Sequence, residues 1–117
     1  MAGLTNATSA TALDAVLAAG DHIAYSTNGS SEAAILARTP VGAWAAATVA
    51  DPSVKANANA LTSATASGAG TVTHYAIYSA VTAGTQKTDW TAVSASKTLA
   101  IGDTVTWAIG ALQVTLT

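Results

Sequence analysis

The sequence predicts a mainly β domain, a small antiparallel β-sandwich or barrel with one short N-terminal α-helix. Three observations carry this. Apolar residues recur at helical spacing only near the start of the chain, and after Gly20 they alternate with a period of two. The alternating runs are cut at short intervals by Gly, Pro, Asn and Asp. The 117 residues fit one domain, with a helical segment over 1–20 and a β domain over 21–117. At this length a fold buries roughly two-thirds of the surface its unfolded chain exposes, enough for one modest core.

Within the first 20 residues, Leu13, Val16 and Leu17 fall at i, i+3 and i+4 on one face, with Asp14 off it. Asn6 or Thr8 is the expected cap, because a side-chain oxygen there accepts from the free N–H groups of the first turn. Gly20 stands where a left-handed C-terminal residue is expected.

The first expected strand is "HIAYS", His22 to Ser26, followed by a turn at Asn28-Gly29. "AAILAR", Ala33 to Arg38, is a second apolar run ended by Thr39-Pro40, and Asp51-Pro52 breaks the chain again. "SVKANANAL" predicts a half-buried strand with Val54, Ala56, Ala58 and Ala60 inward and Lys55, Asn57 and Asn59 outward. "GTVTHYAIYSA", Gly70 to Ala80, has no plain water face: Val72, His74, Ala76 and Tyr78 lie on one side, Thr73, Tyr75, Ile77 and Ser79 on the other. Covering on both sides, by core and by a neighbour, is the expectation. "TQKTDWTAV" (Thr85 to Val93) and the short "KTLA" follow. Val105, Trp107 and Ile109 are expected on one face, then Leu112, Val114 and Leu116 on another. A straight strand cannot change phase in this way, so Gly110 is read as a tight turn or bulge.

The composition narrows the function. Only 4 residues are basic and 6 acidic, 9% of the chain against roughly 25% in ordinary domains, while alanine and threonine number 30 and 19. A surface so poor in charge lets like copies meet without repulsion. Arg38, Lys55, Lys87 and Lys97 are scattered, so nucleic-acid binding has almost no electrostatic support. Without cysteine there is no disulfide, thiolate metal site or Cys nucleophile. No apolar run approaches the length of a membrane-spanning helix, and no signal peptide is expected at the N-terminus.

Chemistry-bearing constellations are sparse. Asp21 precedes His22, but neighbours on a strand point to opposite faces and cannot readily bond each other. A zinc site would need both His22 and His74 with Asp21 or Asp103. Asp51, Asp89 and Asp103 sit in different turns. The expectation is no enzyme, no cofactor and no metal, with His74 a packing residue. Trp44, Trp90 and Trp107 are read first as core or subunit-interface rings and second as a sugar-stacking platform.

Three stretches, "MAGLTNA", "GTVTHYAIYSA" and "KTLAIGDTVTWAIGALQVTL", together resemble a family of small tailed-phage virion proteins. That family is labelled phage tail fibre protein, and similar chains act as capsid decoration or minor capsid proteins in phages of actinobacteria. The resemblance implies a virion structural protein, assembled in the host cytoplasm. It would decorate and stabilise the head shell, as a homotrimer with itself and the major capsid protein as partners. The alternative it implies is a tail fibre or tail-associated adhesin module, partnered by tail proteins and binding a host surface glycan. Fibres usually carry a long repetitive trimerising segment, which favours the head reading. Candidate interface residues are Leu13, Leu17, Trp44, His74, Tyr75, Tyr78 and Trp90. With Tyr78 at a subunit contact, Tyr78→Asp is expected to impair oligomerisation more than folding.

Overall fold

Thr5 opens the helix α1 (Asn6–Val16): it is extended, and its hydroxyl accepts from the Thr8 N–H at 3.2 Å. The computed structural model describes residues 4–116, so the first three residues of the expected helical segment, and of the "MAGLTNA" stretch, lie outside the described residues, as does Thr117. The cap is therefore one residue before Asn6, not Asn6 or Thr8. The helix ends at Leu17, which returns to extended geometry. Gly20 does not take the expected left-handed conformation. Instead side chains meet the last carbonyls, Lys87 Nζ donating to the Val16 carbonyl at 2.7 Å and Trp44 Nε1 to that of Ala18 at 3.2 Å, while the Asp21 carboxylate accepts from the Ala18 N–H at 2.8 Å. Leu13 and Leu17 are buried, but Val16 turns outward and is 51% exposed.

The main sheet is antiparallel, in the order β2-β1-β5-β6, with β1 (His22–Ser26), β2 (Thr39–Pro40), β5 (Gly70–Tyr78) and β6 (Thr91–Leu99). Two antiparallel ribbons complete the fold: β3 (Ser53–Ala56) with β8 (Gln113–Leu116), and β4 (Leu61–Thr62) with β7 (Thr106–Trp107). Mainly β with one helix and antiparallel sheets is thus what forms. In β1 and β5, Ile23 pairs with Ile77 and Tyr25 with Tyr75, which places four large side chains on one face. Helix α1 and both ribbons contribute to the core that includes them, through Leu13, Leu17, Leu61, Trp107, Leu112 and Val114. The other face carries His22, Ala24, Ser26, His74, Ala76 and Tyr78. It is covered by the chain's own residues: Gly29 sits on the His74 ring and Arg38 lies 3.9 Å over Tyr78. No residue from Gly70 to Ala80 is exposed, so β5 is covered on both sides, and residues of the chain itself supply part of the second cover.

Several sequence expectations are corrected. Ala33–Arg38 forms turns that bury Leu36 in the core and bring Arg38 onto the second face, and only Thr39–Pro40 pairs, at the sheet edge where a proline without N–H is tolerated. The phase of "SVKANANAL" is inverted: Ser53, Lys55 and Asn57 are buried, while Val54, Ala56 and Ala58 are half-exposed. The inversion works because each buried polar group is bonded. The Ser53 hydroxyl donates to the Thr48 carbonyl and Lys55 reaches Asp14. The Asn57 amide bridges the Asn59 and Ala108 carbonyls and the Leu112 N–H. "TQKTDWTAV" and "KTLA" are not two strands. One strand, β6, runs from Thr91 at the end of the first to Leu99 in the second, with a bulge that sets residues 93–96 against Thr73 alone. Ile109 does not share a face with Val105 and Trp107, because β7 stops at Trp107 and Ile109 is 69% exposed. The expected phase change at Gly110 is present: its φ is 77°, and the Ala111 N–H closes a turn on the Ala108 carbonyl.

Ala83 is the one non-glycine among the described residues with positive φ, at 51°. Its carbonyl accepts from Arg38 Nη1 at 2.7 Å, which holds the loop in place. A left-handed conformation costs an L-residue roughly 1–2 kcal/mol, of which glycine would return part as unfolded-chain entropy. Ala83→Gly is therefore expected to stabilise by roughly 0.5–1 kcal/mol. Chemical denaturation measures it, and a loss of stability would mean the strain is not there.

Candidate functional surface

The charged side chains turn inward. Lys87 Nζ bonds Asp21 Oδ1 at 2.5 Å and the Val16 carbonyl at 2.7 Å. The second Asp21 oxygen also accepts from Trp44 Nε1 at 3.2 Å, so a carboxylate only 1% exposed is bonded at both oxygens. Lys55 pairs with Asp14 at 2.6 Å. Arg38 grips Glu32 with two N–H groups at 2.8 Å, donates to the Ala80 and Ala83 carbonyls, and stacks on Tyr78. Three of the four basic residues are thus in intramolecular ion pairs, and Lys97 on β6 is the cation left outside them. The exterior is poorer in free charge than the sequence count implies.

Of the seven candidate interface residues, Leu13, Leu17 and Tyr75 are brought together. They line a groove of 480 Å³ between α1, the Lys87–Thr91 segment and β8. Leu13 and Leu17 are 5% and 3% exposed, however, and serve the chain's own core first. Tyr75 packs edge-on against Trp107, with centroids 5.1 Å apart. Tyr78 and Trp90 meet each other at 6.2 Å, with Tyr78 bonded to Gln86. Trp44 is tied to the helix end, and His74 is bonded to Thr73 and lies on Gly29. The half-exposed Tyr78 ring also carries Arg38 within the chain, so Tyr78→Asp removes an intramolecular contact as well.

The three tryptophans have separate partners and show no common platform. Trp107 donates from Nε1 to the Tyr25 hydroxyl at 3.2 Å, and that hydroxyl lies 2.6 Å from Thr39 Oγ1. Burial pushes the phenol pKa of Tyr25 up, and that of Tyr75 likewise. Sequence reading assigned Trp107 to a core face and missed this network, along with Asp21 and Lys87. Their separations in the chain leave no local signal.

The histidines do not form a pair. Register places His22 opposite Tyr78 and His74 opposite Ser26, four residues apart along β1, roughly 13 Å at strand rise. His22 bonds the Gly20 carbonyl through Nδ1. Among the described residues no three His, Cys, Asp or Glu side chains gather as a metal-holding group. Every buried side-chain nitrogen and oxygen among them has a hydrogen-bond partner. No helix is long and apolar enough to cross a membrane.

The hydrogen bond from Lys55, followed by that from the Ala47 N–H, holds the Asp14 carboxyl below the usual carboxylate range. Folding therefore favours the ionised form. The stability it contributes is complete above the ordinary carboxylate pKa and lost as pH falls through the lowered folded value. Between about pH 5 and about pH 2, Asp14→Asn is expected to show a shallower fall in melting temperature than the parent. Equal slopes would remove Asp14 from the acid response.

A family model described as podophage GP4 fiber I protein gp80 matches residues 2–115. No curated protein matches the chain.

Proposed function

The chain belongs to that family of podophage fibre proteins, a fibre-type structural family of the phage virion, and from this premise we propose that it works on the tail side of the particle. There it is one of several identical copies in a fibre and meets the host surface. The observation that carries this reading is a family match over nearly the whole chain. Physical support comes from the charges. With Arg38, Lys55 and Lys87 neutralised internally, little ionic repulsion or desolvation opposes the packing of like copies. The role is binding and packing without catalysis, since both histidines are bonded to their own neighbourhood and the buried carboxylate is fixed by a lysine.

Head decoration, the first expectation from the sequence, shares the virion setting but has less behind it, because the family is described by a fibre. Quantitative mass spectrometry of whole particles and of purified tailless heads separates the two. The chain is expected in whole particles and absent from heads. Stoichiometric recovery with the heads would replace the fibre reading by decoration, and absence from both would end the virion reading.

A further inference from the structure

We propose that the cavity between the β6 bulge and β7 is a carbohydrate site that takes one pyranose ring bearing an anionic group. The cavity measures 210 Å³ and is lined by Tyr25, Val72, the bulge residues Val93 to Ala95, Lys97 and the Val105–Trp107 segment. Drug-sized sites run to about 300–1,000 Å³, so this one suits a single ring.

The lining matches the two chemistries of such a ring. A pyranose presents apolar C–H faces and a rim of hydroxyls. Trp107 supplies an aromatic wall that is already immobile, tied through Nε1 to Tyr25 and braced edge-on by Tyr75. A wall fixed in advance loses little freedom on binding. Val72, Val93 and Val105 complete the apolar side. Ser94, Thr106 and Lys97 supply the polar side. Among the described residues these three make no side-chain hydrogen bond within the chain, in contrast to Ser26, Ser53, Ser63 and Asn57, whose polar groups are satisfied internally. Lys97 is also the one basic residue outside an intramolecular ion pair. A carboxylate or similar group on the ring is what would engage it, as a charge-assisted bond at the cavity rim.

The bulge makes the site. A regular ladder would oppose Thr73 with one residue, whereas four residues, 93–96, stand there, and the first three of them line the cavity together with Trp107.

The proposal deepens the fibre reading, on which its biological meaning rests, yet it is tested on the isolated chain. Intrinsic tryptophan fluorescence is titrated with methyl glucuronide, methyl glucoside and sodium acetate. The uronide is expected to give saturable quenching with a Kd of about 1 mM, the neutral glucoside binding about tenfold more weakly and acetate not at all. Lys97→Ala, on the exposed strand, should bring the uronide to the level of the glucoside, removing the tenfold preference for the charged ring. Val93→Trp should fill the cavity and abolish both. If it disturbs folding, the Lys97→Ala comparison still decides. No saturation by either glycoside at about 100 mM, or equal binding of acetate and uronide, overturns the proposal. Such a failure in a chain still found on the particle would refute the sugar site alone.

Discussion

The fold depends first on the buried carboxylate of Asp21. Its two oxygens receive the Lys87 ammonium, the Ala18 amide and the Trp44 indole, and its carbonyl accepts from the Val41 N–H. One residue thus joins the end of α1, the start of β1, the segment leading to Trp44, and the connection between β5 and β6. Lys87 adds the Val16 carbonyl to the same cluster. Removing two charges from water is costly, and the pair is tolerable because both carboxylate oxygens have donors, one on Oδ1 and two on Oδ2. The same completeness makes it fragile, since deleting one partner leaves the other charge exposed to a low-dielectric core. The order of elements around this point explains why a short helix with little amphipathic face persists at all: its end is held by the ion pair as well as by Leu13 and Leu17.

The same economy recurs at the other two ion pairs and produces the character of the surface. Lys55 lies 6% exposed beneath Asp14, and the Arg38 guanidinium is enclosed by Glu32, two carbonyls and the Tyr78 ring. Charges that a sequence count assigns to solvent are structural ties between elements far apart in the chain. The surface left over is largely alanine, serine and threonine. That suits a protein whose copies pack together at high local density, where ionic groups would have to be matched or removed from water at each contact.

Much of the architecture was legible because it rests on local rules. The limits of β1, the turn at Gly29 and the phase change at Gly110 follow from period and from the conformations glycine permits. The two-sided covering of β5 was legible in its lack of a polar face. What covers it was not, because the contacts of Arg38 with Tyr78 and of Gly29 with His74 join residues remote in sequence. Alternation in "SVKANANAL" was visible but its sense was not. Period locates two faces, and the choice of the polar one for the interior depends on Asp14, Ala108 and Leu112, which are remote in sequence. For the same reason the seven interface candidates mixed core leucines with residues that also hold the chain to itself, while the approach of Trp107, Ser94 and Lys97 to one cavity left no local signal.

The two edges of the main sheet are blunted in different ways. A nine-residue strand such as β6, exposed along most of its length and bearing a single charge, invites pairing with another copy. Pro40 blunts the opposite edge, which is only two residues long. On β6 the bulge at 93–96 interrupts the regular row of backbone donors and acceptors that a second strand would need. Sheet extension is thus opposed at both ends, and copies that associate must do so through side-chain surfaces. The segment that breaks the edge also lines the cavity together with Trp107. Regularising the strand would therefore open the edge to pairing and dismantle the cavity together, so a single irregularity serves both purposes.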